Sequence, residues 1–341
     1  MSIKGQLIRR LRMLKGISPS DLVSGISSVS YLSLMESDKR AVPPKTFIKF
    51  MQKLGIGPDS SPDFDFFRIT PEAAFELVNT YRTEGEFANS LATGENFLRG
   101  ITSQIPEFEL QMTRLRGSLM NSALELGDFN RAGELLALEL PMTRSITRVY
   151  SNWSHANYFE VIGDLRRSMD FYGLAAEDAI DTVDLQTQHD LKQGFINSKL
   201  QNSVACDEED FEFIIECIAR YETKRDVSRL VLSRLTLAWF YLRRGIPDLA
   251  LAELKQCEKS IPNLDLEVCG SVSESIADLC LLLNRTDTAN VLLNLVVSRA
   301  SKSDANFARK LFWTRVCKAG MKSGSVSVVT TCETALRMFA A

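Results

Sequence analysis

The chain has 341 residues, of which 45% are hydrophobic and 24% are charged. This composition supports a sizeable core and more than one domain, and it excludes wholesale disorder. The net charge of −3 is unevenly spread, because residues 1–56 hold ten Lys or Arg and three acidic residues, a local +7 that leaves −10 elsewhere. A basic segment beside an acidic one predicts a polyanionic partner for the basic segment alone, with a solvated basic surface as the alternative.

Several classes of protein are disfavoured by what the sequence lacks. Seven cysteines occur without a C-x-x-C pair, and the two histidines are His155 and His189, so we expect no metal and no cofactor. An odd cysteine count without a signal peptide indicates reduced thiols in a cytoplasmic protein, with a redox switch as the alternative. No apolar run approaches the ~20 residues that span a bilayer. No nucleophile–base pair or phosphate loop is evident, so we expect no enzyme.

The first 56 residues predict four short helices joined by tight turns. The first covers residues 3–14 and ends at Gly16, and Ser18 with Pro19 begins the second. The third follows Gly25, and the fourth runs from about Thr46 to about residue 54. The apolar residues expected to face the core are Ile3, Leu7, Leu11, Leu14, Leu22, Val23, Ile26, Leu32, Met35, Phe47, Phe50, Met51 and Leu54.

The third helix has an unusual outward face. Its apolar residues can point inward, which leaves Ser28, Ser30, Tyr31 and Ser33 to face outward, and a Lys-Arg pair follows at 39–40. A short helix with small hydroxyl side chains and adjacent cations suits the major groove of DNA. The alternative is that each serine is a helix cap or a surface hydroxyl and that Tyr31 belongs to the core.

This segment resembles the helix-turn-helix of the Cro/C1-type (XRE) repressor family. The matching residues are Gly25-Ile26-Ser27, Tyr31-Leu32-Ser33, Glu36, Lys39-Arg40 and Pro43. The form G-I-x-S-x-S-Y-L-S at 25–33 has one additional residue in the turn and is similar to the RRNPP peptide-pheromone regulators (Rgg, NprR, PlcR and PrgX type). Leu34-Met35 departs from the family pattern, in which a basic residue and then isoleucine are common.

The resemblance implies two sets of DNA contacts. Ser28, Ser30, Tyr31 and Ser33 would meet base edges or adjacent phosphates, which is where sequence is recognised. Phosphate contacts, which set affinity and its salt dependence, would come from Arg12, Lys39, Arg40 and Lys45.

The remaining chain predicts a helical repeat. A Gly-, Pro- and Ser-rich stretch places a linker at residues 57–69, after a DNA-binding domain at 1–56 and before a repeat domain at 70–341. Turns recur every 36 to 42 residues, near Gly85, Gly127, Gly163, Ala205, Gly245, Asn284 and Gly324. Small residues that allow close helix approach follow five of these turns, at Ser90, Ala132, Ser168, Ala250 and Ala289.

The repeats resemble tetratricopeptide (TPR) repeats, most clearly at residues 238–250 and 126–132, with a period longer than the usual 34. The expected fold is therefore all-α: a helix-turn-helix domain followed by a right-handed TPR-like α-solenoid. First helices of such repeats line a concave groove suited to an extended peptide.

Repeat register places candidate peptide contacts on the first helices. Asparagine can bridge the N–H and C=O of an extended backbone, arginine can meet a carboxylate, and an aromatic ring can floor a pocket. The candidates are Asn79, Arg114, Asn121, Tyr150, Trp153, Asn157, Asn197 and Trp239. Alternatively, the asparagines bond between helices or face water, and the aromatic residues belong to the core.

Together these patterns predict a cytoplasmic transcriptional regulator. The resemblance implies a homodimer on a two-fold double-stranded operator, with a short signalling peptide that shifts the population of DNA-binding states, and no membrane partner. The alternative is a TPR interaction protein whose effector is a folded protein, such as a phage anti-repressor or a response regulator. A peptide library tested by gel filtration and calorimetry separates the two.

Overall fold

The computed structural model describes residues 3–57, 71–100, 109–138, 143–265, 268–300 and 310–337. Within these ranges it contains 18 α-helices and no strand, and 80% of the described residues are helical, so the all-α prediction is confirmed. The linker predicted at 57–69 lies outside the described residues except for Gly57. The boundary proposed there therefore stays a prediction.

The first four helices lie where the sequence predicts them. They are α1 (Ile3–Leu14), α2 (Pro19–Val23), α3 (Val29–Glu36) and α4 (Pro44–Lys53). Ser18 begins α2 by accepting a hydrogen bond from the Asp21 backbone N–H at 3.1 Å, and Pro19 occupies the first turn, where no N–H is needed. Gly16, in the turn before α2, and Gly25, in the turn after it, adopt positive φ (63° and 76°), a conformation that glycine tolerates without strain.

The core of these four helices differs from prediction along α1. Leu22, Val23, Leu32, Met35, Phe47, Phe50, Met51 and Leu54 are buried as expected, together with Leu11. Leu14 is instead 47% exposed, Leu7 is half-buried, and Ile8, which the prediction omitted, is fully buried. The inward stripe of α1 runs through residues 5, 8 and 11, because Gly5 has no side chain and α3 can approach there.

Gly5 brings α1 and α3 into backbone contact. A Cβ atom at this position would lie 2.0 Å from the carbonyl oxygen of Met35 and 2.9 Å from its carbonyl carbon. No side chain can be accommodated at these distances without moving one helix. The position of α3 is therefore set by a glycine on a different helix.

Contacts divide the chain into two compact units. Unit 1 comprises Met1–Leu124 and Asp128–Tyr150, and unit 2 comprises Glu125–Gly127 and Ser151–Ala341. In unit 1, α5 packs against α1 and α4, so the first four helices share a unit with the helices that follow them.

Fourteen further α-helices form seven consecutive pairs. They are α5 (Pro71–Thr83), α6 (Phe87–Gly100), α7 (Glu109–Glu125), α8 (Phe129–Ala137), α9 (Ser145–Ile162), α10 (Leu165–Ala179), α11 (Leu185–Gln201), α12 (Glu208–Lys224), α13 (Val227–Arg243), α14 (Pro247–Glu258), α15 (Cys269–Leu282), α16 (Thr286–Ala300), α17 (Lys310–Ser323) and α18 (Val326–Arg337). A short 3-10 helix, Ile261–Asn263, follows α14. Each predicted turn lies between the two helices of a pair, so this part of the repeat prediction is confirmed.

Local chemistry explains the turns. Gly127 and Gly163 end α7 and α9 with positive φ (75° and 87°). The next residues, Asp128 and Asp164, begin α8 and α10 by accepting hydrogen bonds from backbone N–H groups at 2.9 and 3.2 Å. The five small residues predicted to allow close approach are all fully buried. At the fourth pair the turn is made by Ser203 with φ 59°, close to the predicted Ala205.

The two helices of the fourth pair pack mainly on helices of other pairs. Helix α11 packs mainly against α10 and α13, while α12 packs mainly against α13. The helices of the fifth, sixth and seventh pairs instead pack closely on their own partners, and α15 packs on α17. The superhelical arrangement of all seven pairs stays a prediction.

Helix α7 anchors its two neighbours in unit 1 through buried charges. Arg116, 2% exposed, donates to the Leu138 carbonyl oxygen at 2.8 Å, at the C-terminal end of α8. Glu109, 3% exposed, accepts from the Thr143 hydroxyl at 2.6 Å and from the Thr143 and Arg144 backbone N–H groups just before α9. Each charge thus lies at the helix end of opposite partial charge.

All seven cysteines are free thiols, and six of them are buried. Burial raises the thiol pKa to about 11 at Cys217 and to about 12 at Cys257, Cys280 and Cys332. Within the described ranges no group of His, Cys, Asp or Glu side chains is arranged to hold a metal ion. Nor is any described helix long and apolar enough to cross a membrane.

Candidate DNA-binding face and candidate peptide site

Helix α3 is held by caps at both ends and by two buried side chains. The Ser28 hydroxyl oxygen accepts from the Tyr31 backbone N–H at 3.2 Å at its start, and the Ser37 hydroxyl donates to the Ser33 carbonyl oxygen at 2.7 Å at its end. Leu32 and Met35, 1% and 0% exposed, fix the rotation of the helix about its axis. The predicted inward face is therefore confirmed for these two residues.

The outward face of α3 carries hydroxyl and aliphatic side chains. Ser30 and Ser33 are exposed, and their hydroxyls form no hydrogen bond with any described residue. Val29 and Leu34 are 46% and 40% exposed beside them. Sequence reasoning did not single out Val29, and it noted Leu34 only as a departure from the family pattern. The sequence feature that could have identified these two residues is that each is next to an outward-facing serine in the chain. Aliphatic groups at such positions can contact thymine methyl groups, while hydroxyls can meet base edges.

Ser28 has a structural role as the cap of α3, which was one of the alternatives for it. One lone pair of its oxygen is used by the Tyr31 N–H, and its exposed hydroxyl proton can still be donated to an external acceptor. Tyr31 is half-buried, and the Arg40 guanidinium lies 4.5 Å from the centre of its ring. This stacking holds Arg40 beside the N-terminal half of α3.

The exposed cations around α3 are not neutralised by the described part of the chain. Lys39, Arg40 and Lys45 are exposed and form no ion pair with any described residue. Of the other cations nearby, Lys53 donates to the Ser24 carbonyl oxygen at 2.6 Å and so ties α4 to the turn before α3. Exposed cations without an ion-pair partner are suited to phosphate contacts, because no bond to a carboxylate must be given up.

Arg12 differs from these cations because it is committed inside the fold. Its guanidinium donates to both Glu36 carboxylate oxygens at 2.8 and 2.9 Å and to the Ile17 carbonyl oxygen at 3.2 Å. The two side chains are 14% and 11% exposed, and the hydrogen bond to Glu36 raises the pKa of Arg12. The structure thus makes Arg12 a link between α1 and α3, and a phosphate contact by it would require breaking this pair.

In unit 1, the candidate peptide contacts have different environments. The Asn79 side-chain oxygen accepts from Arg82 at 3.2 and 3.1 Å, one turn further along α5. Arg114 is exposed, and its guanidinium lies 4.4 Å from the Phe75 ring centre and 5.5 Å from that of Tyr150. The half-buried carboxamide of Asn121 bonds to no described residue. Asn121 is thus the candidate asparagine of this unit whose side chain is not committed to a described residue.

In unit 2, Trp153 and Asn157 converge on one hydroxyl. Tyr172 donates to the Asn157 side-chain oxygen at 2.8 Å and accepts a hydrogen bond from the Trp153 indole. Asn197, half-buried on α11, bonds to no described residue. Trp239 is 5% exposed and packs within the core of unit 2, which favours the core alternative for it over a pocket floor.

Sequence reasoning missed a charged cluster in unit 2. Arg315 of α17 donates from Nε to Glu274 of α15 at 2.7 Å, and its Nη2 lies 3.8 Å from Glu160 of α9. These side chains are between 15% and 26% exposed. Burial raises the pKa of Glu160, and it raises the pKa of the neighbouring Tyr172 well above its ordinary value. The three charged residues lie far apart in the sequence, so no local motif signals them.

No model of a known protein family matches the chain, and no curated protein matches it either. The resemblance to XRE-type and RRNPP regulators therefore depends on the motif at residues 25–43 and on the repeated helix pairs.

Proposed function

We propose that the protein is a cytoplasmic DNA-binding transcriptional regulator whose XRE-type helix-turn-helix, residues 1–56, is controlled by a short peptide bound to its TPR-like helices. The single observation that carries the DNA-binding part is the environment of α3. The Ser30 and Ser33 hydroxyls face outward there without a hydrogen bond to any described residue, and three exposed cations close by in the chain form no ion pair with that part of the protein. Hydroxyls that meet bases and cations that meet phosphates are complementary parts of a DNA interface.

A homodimer on a two-fold operator belongs to this proposal. One short recognition helix contacts few base pairs, and helix-turn-helix proteins extend their site by pairing two copies about one helical turn of DNA apart. We therefore expect the selected DNA to contain an inverted repeat.

The peptide part of the proposal rests on the helix pairs and on carboxamides that lack internal partners. Asn121 in unit 1 and Asn197 in unit 2 lie on first helices and are available to an external backbone. A peptide that binds one arrangement of the protein better than another shifts the DNA-binding equilibrium by the difference in binding free energy. In this proposal Asn79 and Asn157 also contact the peptide, but each must first give up or share the hydrogen bond that its side chain forms within the protein.

Selection from random double-stranded DNA by the full-length protein tests the DNA-binding part. We expect an enriched inverted repeat, and Ser30→Ala combined with Ser33→Ala should change base preference at fixed positions of each half-site. Lys45→Ala should instead weaken binding to all sequences alike and reduce the slope of log affinity against log salt by about 1. Thr334→Ala, an exposed hydroxyl on α18, is the matched control.

Two results would count against the regulator proposal. The first is the absence of any enriched sequence at low salt, which removes the DNA partner. The second is a serine double variant whose enriched sequence equals that of the wild type, which removes α3 as the recognition helix. Calorimetry with short peptides then distinguishes a peptide effector from a folded protein effector, because we expect no heat of binding from free peptides if the effector is a folded protein.

A further inference from the structure

Glu160 lies on the same face of α9 as two candidate peptide contacts. Trp153, Asn157 and Glu160 are spaced by four and three residues, which places their side chains in one row on the helix. The row is tied together by Tyr172 of α10, whose hydroxyl contacts all three side chains. Glu160 therefore belongs to the same local surface as residues chosen on the basis of repeat register.

The hydrogen bonds in this row leave Glu160 poorly satisfied. A tyrosine hydroxyl has one proton, and the Asn157 oxygen at 2.8 Å is a closer acceptor for it than the Glu160 oxygen at 3.3 Å. Since the Trp153 indole donates to the Tyr172 oxygen, the indole proton is also occupied. A carboxylate with four lone-pair directions is thus left with one long, shared hydrogen bond.

Arg315 does not complete the environment of Glu160. Its Nε donates to Glu274 and its Nη2 forms an ion-pair contact with the same carboxylate, whereas Nη2 lies 3.8 Å from Glu160, beyond a hydrogen bond. One guanidinium between two carboxylates leaves a net negative charge. Lys310, on the same helix as Arg315, forms no ion pair with any described carboxylate.

The carboxylate can still be reached from outside, because the Glu160 side chain is 25% exposed. Burial of the remainder and the neighbouring Glu274 raise its pKa more than Arg315 and Tyr172 lower it. A cation or strong N–H donor placed there would supply the missing hydrogen bonds and charge. Asn157, whose oxygen is already bonded, would donate its NH₂ group to a neighbouring carbonyl oxygen.

We propose that Glu160 is a further peptide-binding residue and that it receives a positively charged group of the peptide, either the N-terminal ammonium or a lysine or arginine side chain. This inference rests on the proposed function and names the chemistry of its ligand. Sequence reasoning expected a single asparagine to bond both an N–H and a C=O group of the peptide backbone. In this proposal Glu160 accepts from the N–H donors of the positively charged group, and Asn157 donates to a peptide carbonyl oxygen.

Affinity selection tests the assignment directly. The full-length protein is incubated with randomised synthetic heptapeptides, bound peptides are recovered by gel filtration, and they are identified by mass spectrometry. We expect the recovered peptides to be enriched in positive charge at one fixed position. An N-acetylated library identifies the ammonium as the source if enrichment is lost, and norleucine in place of lysine identifies a side chain if affinity falls.

Calorimetry with the best recovered peptide then compares variants. Glu160→Gln should weaken binding about 10- to 100-fold, because it removes a charge-assisted hydrogen bond, and Glu160→Asp should retain part of the affinity. Glu177 on α10 is exposed and bonds to no described residue, so Glu177→Gln should leave affinity unchanged and serves as the control. Far-UV circular dichroism confirms that each variant is folded.

The outcomes separate this inference from the function on which it rests. If the wild type recovers no peptide, the proposed peptide control fails and the assignment of Glu160 falls with it. If peptides are recovered without preference for positive charge, and Glu160→Gln binds them as the wild type does, the assignment alone is overturned.

Discussion

Replacing Gly5 by alanine gives the sharpest test of the packing that positions α3. Two effects of opposite sign act at this position. Alanine favours a helix over glycine by roughly 0.5–1 kcal/mol, so helix propensity alone predicts stabilisation. Its Cβ atom, however, would lie 2.0 Å from the Met35 carbonyl oxygen, and a backbone atom cannot rotate away as a side chain could.

The steric effect should exceed the propensity effect. Ordinary carbon contacts need about 3.5 Å, so α1 and α3 must separate by about 1.5 Å. Overpacking typically costs 1–3 kcal/mol, and an approach of 2.0 Å to a backbone atom places this case at roughly 2–3 kcal/mol, so subtracting a propensity gain of up to about 1 kcal/mol leaves a net destabilisation of about 1–2 kcal/mol. That difference corresponds to a change of about 5- to 30-fold in the local opening equilibrium.

Hydrogen exchange measured by mass spectrometry on segments from α1 and α3 reports this equilibrium without assuming two-state unfolding of the whole chain. We expect exchange to accelerate in both helices of Gly5→Ala and to remain unchanged in α13–α18. Met13→Ala, on the same helix and 63% exposed in the wild type, should leave exchange nearly unchanged. Equal or slower exchange in Gly5→Ala would refute the backbone contact between α1 and α3.

Two further predictions concern charge and thiol chemistry. Burial alone would raise the pKa of Glu109, but the hydrogen bonds that its carboxylate accepts from Thr143 and Arg144 help to lower it. The carboxylate therefore stabilises the fold above the ordinary glutamate pKa of about 4.3 and loses this effect as pH falls through the lowered pKa. Glu109→Gln should therefore destabilise unit 1 by roughly 1–3 kcal/mol at pH 7, by denaturant unfolding, and by progressively less under acid; a constant difference would contradict this. Because burial raises its thiol pKa to about 11, Cys206 should react with iodoacetamide at pH 7.5 at least ~100-fold more slowly than a free thiol, and a fast reaction would revive the redox alternative.

Local features could be predicted from the sequence because their causes are local. A turn glycine followed by a capping aspartate, as in Gly127-Asp128 and Gly163-Asp164, ends one helix and begins the next through bonds that span a few residues. The seven turns, the small residues that follow five of them and the inward face of α3 were therefore predictable from residue type and spacing.

Relations between distant residues depended on the tertiary structure. The prediction for α1 treated apolar residues as the inward face, but the backbone contact at Gly5 determines which stripe turns inward, so Leu14 is exposed. Arg12 looked available to phosphate until its pairing with Glu36 on another helix was known. Sequence spacing predicts which residues share a face of one helix, but not which face another helix covers.

In the candidate peptide site, too, some features were predictable from the sequence and others depended on the tertiary structure. Repeat register alone placed Trp153 and Asn157 on one helix face, whereas the role of Glu160 depends on Tyr172 and Arg315, which belong to other helices. What the sequence by itself determined are the helices, their caps and their turns, because these follow from bonds within a few residues. Which charged and amide side chains pair with one another depends on how helices far apart in the chain pack together. Only the tertiary structure decided these pairings.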